Sequence, residues 1–304
     1  MVLTEDIDKM EIKMKYSLVN ILLALITFVF LFGCSDLKNN IPTTPQLSVH
    51  QPGFTTPSSP NFHGNIIKAN NYDMRQCRQC HASDYTGGTS GFSCKSCHTQ
   101  PNGPESCNTC HGNFSDTTGT FIAPPRDLNG DTSTTIAGVG AHFNHLYADS
   151  LSSNVQCAEC HTVPQNVYSA GHINPGLPAQ VNMKDIATTN IASNASYDYN
   201  SMTCSNTYCH GNFSFSISNA QPGDQFAFSD SVMVGNNKTV TWNKVDGSQA
   251  QCGSCHDLPP KGHIGYQQFP LSSCVSCHWT VVDAQGNIIN KAKHINGNVN
   301  VRSN

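Results

Sequence analysis

Residues 77–111 read CRQCHASDYTGGTSGFSCKSCHTQPNGPESCNTCH. Three times in this stretch a cysteine pair closes on a histidine: Cys77-Cys80-His81, Cys94-Cys97-His98 and Cys107-Cys110-His111. The same Cys-x-x-Cys-His spacing returns at Cys157-Cys160-His161, Cys252-Cys255-His256 and Cys274-Cys277-His278. A seventh copy, Cys204-Cys209-His210, is stretched to Cys-x-x-x-x-Cys-His.

Paired cysteines have three common uses. A disulfide framework needs no histidine after the second thiol. Zinc knuckles set their pairs about 15–20 residues apart, or follow one pair with spaced histidines. An adjacent Cys-His at every site fits neither and is the attachment sequence of c-type haem. Two thiols add to the two vinyl groups, and the turn between them sets the next imidazole under the iron. In the stretched copy the extra two residues are expected to bulge out between the thioethers.

The residue counts close on that chemistry. Of 15 cysteines, fourteen lie in the motifs, and the last is Cys34. Of 14 histidines, seven follow a motif cysteine as proximal ligands: His81, His98, His111, His161, His210, His256 and His278. Seven remain: His50, His63, His142, His145, His172, His263 and His294. One distal histidine per haem uses all of them, giving seven covalent haem c groups with bis-histidine iron. Met74, Met183, Met202 and Met233 are alternative axial donors, each read first as packing. His50 is the weakest candidate, since it sits among Pro, Ser and Thr.

Composition points the same way. Charged residues are 12% of the chain, against about 25% in an ordinary domain, and apolar residues are 38%. Such a chain cannot build a large aliphatic core; porphyrins supply the missing apolar volume. The expected fold is that of a multihaem cytochrome c, mostly loops with short α-helices wrapped around a stacked haem chain, with little β. Without haem it is expected not to fold.

Lys13 and Lys15 precede an apolar run from about Leu18 to Phe32, which ends at Gly33-Cys34. The run is short for a spanning helix and reads as a signal peptide, residues 1–33. Translation from Met10 or Met14 gives it a better basic start. Leu31-Phe32-Gly33-Cys34 resembles a bacterial lipoprotein signal box, which implies lipid attachment at Cys34, and Ser35 behind it favours the outer membrane. Residues 34–64 read as a tether punctuated by Pro42, Pro45, Pro52, Pro57 and Pro60. A three-haem module is expected at 65–120 and a four-haem module at 121–304. Export suits haem attachment, which needs an extracytoplasmic compartment.

Smaller signals fill in the second half. Lys238-Thr-Val-Thr-Trp242 alternates and predicts a short strand. Asp127-x-Asn129-x-Asp131 has calcium-loop spacing with its glycine misplaced, and reads as a turn. His172, His263 and His294 each trail a Cys-x-x-Cys-His on a glycine-containing turn. His142 and His145 are three apart, share one helix face and are positioned to serve two different haems.

Gly140-Ala-His-Phe-Asn-His-Leu146, Cys157-Ala-Glu-Cys-His-Thr-Val-Pro164, Cys204-Ser-Asn-Thr-Tyr-Cys-His-Gly211, Trp242 and Cys252-Gly-Ser-Cys-His-Asp-Leu-Pro-Pro260 together resemble the CxxxxCH…CxxCH multihaem cytochromes of metal-reducing bacteria. The resemblance spans roughly residues 121–280. The His-x-x-His ahead of a Cys-x-x-Cys-His is also similar to class III cytochromes, where one such histidine serves the adjacent haem and the other a neighbour.

Full bis-histidine ligation leaves no open iron position and keeps potentials low. The expected role is an electron-transfer relay, not an enzyme. It would pass electrons between periplasmic carriers and acceptors at or beyond the outer membrane, from a periplasmic or cell-surface face. Net charge is −4 before haem propionates are added, which suits basic redox proteins, metal oxides or metal chelates as partners and gives no reason to expect nucleic acid. The alternatives are a multihaem reductase for nitrite, hydroxylamine or a sulfur oxyanion, which needs a vacant iron, and a polymeric cytochrome filament.

Overall fold

The computed structural model describes residues 13–23, 25–26, 49–173 and 177–301. The lipid attachment expected at Cys34, the end of the signal segment and the start of the tether lie outside them. Contacts divide the chain into two units, Met1–Phe62 and His63–Asn304. In the first, residues 13–23 are helical, and His50 stacks on Phe54 with ring centres 3.9 Å apart. No helix among the described residues is long and apolar enough to cross a membrane.

The second unit holds all seven motifs, so both expected modules lie inside it. It is mostly loop. Its longest described helix is His63–Ala69, and the next is His142–Leu146. Strands β1 (Ser196–Asp198), β2 (Thr203–Ser205) and β5 (Val240–Thr241) form an antiparallel sheet in the order β1-β2-β5. Tyr197 faces Cys204 across one seam, and Val240 faces it across the other. The run at 238–242 therefore does pair as a strand. Strands β3 (Ser214–Ser216) and β4 (Val232–Val234) make a second, two-stranded sheet.

The protein core is thin. The buried apolar side chains are Met74, Tyr85, Ala123, Val139, Ala187, Tyr208, Ala227, Met233, Val240, Val281 and Val301. Among the described residues not one Leu, Ile or Phe is buried, the reverse of an ordinary core. Met74 and Met233 are both buried here. Loops are held instead by buried amides. Asn108 donates from Nδ2 to the carbonyls of Asn113 and Asp116, and Asn212 to those of Ser193 and Asn206. Each such bond is worth about 1 kcal/mol net, and more when its loss strands a buried carbonyl.

Residues on either side of position 120 are pinned together by one polar cluster. Arg78 pairs with Glu105, which also accepts from the Tyr85 hydroxyl. Tyr168, from the later segment, lies under both Arg75 and Arg78, each guanidinium 5.2 Å from its ring centre. Farther on, Asp127 Oδ1 accepts from the backbone amides of Asn129 and Asp131, so this segment is the turn its misplaced glycine implied.

Candidate haem sites

Each regular motif is a short turn. His98, His161 and His278 donate their backbone N–H to the carbonyl of the first motif cysteine at 2.8–2.9 Å, as one turn of helix requires. The stretched motif is built differently. Cys204 lies in β2, Asn206 takes a left-handed conformation (φ 59°), and Tyr208–His210 form a 3₁₀ turn closed from His210 N–H to the Thr207 carbonyl. The two extra residues do not bulge outward. Thr207 and Tyr208 are buried at 4% and 7% exposure, and the Tyr208 hydroxyl accepts from Gly297 N–H. Burial wins because Tyr208 packs among Phe213 and Phe215 in a molecule short of other apolar cover.

The histidines meet in pairs, each joining a motif histidine to one of the seven others. Ring centres are 6.0 Å apart for His98 with His63, 6.2 Å for His161 with His142, and 6.2 Å for His210 with His145. They are 6.5 Å apart for His256 with His294 and 6.3 Å for His278 with His263. A metal–nitrogen bond of about 2 Å, plus roughly 1 Å from nitrogen to ring centre, puts two imidazoles about 6 Å apart across one ion. His111 is held below its ordinary pKa by burial first and then by the nearby rings of His172 and His161. His172 is thus the neighbour of the third motif. His81 and His50 lie in different units.

A second regularity concerns the other ring nitrogen. In ten histidines Nδ1 lies 2.6–2.9 Å from a backbone carbonyl: His81, His111, His142, His145, His161, His172, His256, His263, His278 and His294. A carbonyl only accepts, so Nδ1 carries the proton and Nε2 presents its lone pair. Burial also pushes His142 and His210 down to about 4, which keeps both neutral and ready to ligate.

What group would these pairs hold? Among the described residues no cluster of three or more His, Cys, Asp or Glu side chains is poised around a bare ion. At five sites the protein offers two imidazoles about 6 Å apart, and the fourteen motif thiols are free. The thiols are poor thiolates: burial pushes Cys160 to about 11 and Cys204 and Cys209 to about 12. An imidazole pair would hold a haem iron and the two motif cysteines would bond its vinyl groups, a set that fits covalent haem and does not fit zinc. Residues 203–256 match the family described as the Geobacter CxxxxCH...CXXCH motif. That motif belongs to multihaem c-type cytochromes and implies covalently bound haem c. No curated protein and no solved structure matches the chain.

Consecutive motifs of the chain are spatial neighbours. Cys77 lies in the field of Cys94, and Cys274 in that of Cys252. Phe114, just past the third motif, sets its ring against His98 at 5.4 Å. His161 is close to His111, and Cys160 to both Cys204 and Cys209. Gly211 is pressed against the Cys255 carbonyl so closely that a Cβ would clash at 2.0 Å. Sequence reading missed three contributors here. Trp242 contacts both His142 and His145, Asp149 lies in the field of both His210 and His294, and Tyr208 anchors the C-terminal segment. Trp242 and Tyr208 both stood in the stretches that carry the family resemblance; Asp149 carried no signal.

Proposed function

We propose that this chain is a seven-haem electron relay with bis-histidine iron throughout. The observation that carries it is the set of five pairs of a motif histidine with one of the others, 6.0–6.5 Å between ring centres. On this reading His63 serves motif two, His142 four, His145 five, His294 six and His263 seven. His172, which lies near His111, serves motif three. Bound haem supplies a one-electron Fe(III)/Fe(II) couple at each site. The chain's own part is to fill both axial positions, which denies the iron to substrate, and to hold the couples in sequence order at short range.

The relay is proposed to sit at the outer membrane on a lipid at Cys34, exchanging electrons with other redox proteins, metal oxides or metal chelates. Neither a reductase nor a filament is favoured by a specific feature of the fold. Mass spectrometry of the mature protein should show seven haem additions. The electron paramagnetic resonance spectrum of the oxidised protein should contain low-spin signals alone. A stoichiometric high-spin haem would overturn the relay in favour of an enzyme. Replacing Cys34 by Ser should release a soluble protein that still carries seven haems; retention in salt-washed membranes would remove the lipid anchor.

A further inference from the structure

Trp242 stands between two distal histidines. Its ring centre is 4.7 Å from His142, edge-on, and 5.8 Å from His145, near-parallel at 26°. It is held from both sides. Its backbone N–H donates to the Met202 carbonyl just beyond β5, in the sheet that carries Cys204. Its indole Nε1–H donates to the Ala137 carbonyl at 2.8 Å. The indole lies flush on Gly140, where a Cβ would come within 2.0 Å of Nε1. The loop it presses on supplies the Nδ1 acceptors of both histidines, the carbonyls of Val139 and Ala141.

The two sites sharing this tryptophan differ in ring geometry. His142 and His161 are inclined by 25°, whereas His145 and His210 are inclined by 74°. In low-spin ferric haem the angle between the axial imidazole planes sets the splitting of the iron d orbitals. Near-parallel planes give a rhombic resonance, and near-perpendicular planes a strongly anisotropic one.

We infer that Trp242 is a positioning residue that fixes the ring planes of both distal histidines, keeping haem four near-parallel and haem five near-perpendicular. This rests on the ligand assignments of the relay. One side chain, anchored to the strand that carries the first thiol of haem five, thereby sets two adjacent sites to different electronic states.

The test uses the full-length, haem-loaded protein. Trp242→Ala should keep seven haems by mass, yet shift and broaden one rhombic signal and one strongly anisotropic signal, leaving the others in place. Trp242→Phe keeps a ring but loses the bond to Ala137, and should give a smaller shift of the same two signals. Asn243→Ala removes a neighbouring bond to the same loop, from Asn243 Nδ2 to the Thr135 carbonyl, without touching either ring, and should leave the spectrum unchanged. A wild-type spectrum in fully loaded Trp242→Ala overturns the inference, as does an equal shift in Asn243→Ala. If Trp242→Ala fails to load, Trp242→Phe decides: a wild-type spectrum overturns the inference. His142→Met and His145→Met separate the two levels. If each alters one signal while the Trp242 variants alter none, only the tryptophan's role is lost. If neither alters any signal, the ligand assignment itself is wrong.

Discussion

Motif four and motif five sit side by side and solve one problem in two ways. In Cys157–His161 the chain makes a single turn, its spacer Ala158 is exposed, and His161 N–H closes directly onto the Cys157 carbonyl. In Cys204–His210 the first cysteine is locked in a sheet, the spacer folds inward, and Tyr208 reaches the backbone of Gly297. The regular motif closes on itself and is tied outward through polar bonds, Glu159 and Cys160 accepting from the amides of Asn182, Lys184 and Ile186. The stretched one is a tertiary joint. Its extra length gives the motif a buried side chain, and that side chain grips the segment carrying His294. The same C-terminal stretch supplies the Asn300 carbonyl that orients His278. Tyr208 thus ties the stretched motif to the stretch that carries His294 and the carbonyl acceptor for His278.

The comparison breaks most visibly if the thiols are removed. Cys204→Ser with Cys209→Ser should lose one haem by mass and also disturb sites six and seven. The matching change at Cys157 and Cys160 should lose one haem with a more local effect. If both double variants leave the other six spectra alike, the stretched motif is no joint. Next in size is Tyr208→Ala, which empties a buried aromatic site and should cost about 3–5 kcal/mol in denaturant unfolding of the loaded protein. It should also shift the signals of sites six and seven. Tyr208→Phe keeps the ring and loses only the acceptor for Gly297 N–H, a cost of about 1 kcal/mol. A loss as large as that of Tyr208→Ala would mean that the hydroxyl, and not the ring, holds the joint.

Thr207 sharpens the contrast in the other direction. Its buried hydroxyl has no hydrogen-bond partner among the described residues. Thr207→Val removes that orphan at nearly constant shape and should leave stability unchanged or raise it by up to about 1 kcal/mol. Ala158→Ser, in the exposed spacer of motif four, should stay within about 0.5 kcal/mol of wild type by the same measurement.

Much of the site was legible in the residues alone. The seven Cys-His pairs, the seven spare histidines and the loop-rich chain follow from spacing and composition. The pairings did not follow, because no periodicity links partners across loops. Between His145 and His210 lie the whole of motif four and strands β1 and β2. His256 and His294 embrace the seventh motif, while His263 reaches forward to His278. The inward turn of Thr207 and Tyr208 was hidden for a related reason. Spacing counts residues between thiols, whereas the direction of a loop depends on which apolar side chain has somewhere to go, here the pocket formed by Phe213 and Phe215.

The ten imidazoles held by main-chain carbonyls have a consequence for how charge moves. A carboxylate behind a ligand histidine could take up or release a proton whenever the iron changed its oxidation state, and the potential would then drift with pH. A peptide carbonyl has no proton to exchange. On the relay reading, an electron reaching one of these sites would meet a ligand whose Nδ1 partner has no proton to exchange. The acceptors are also backbone atoms, which no point substitution deletes, so this arrangement is carried by the path of the chain and not by any one side chain.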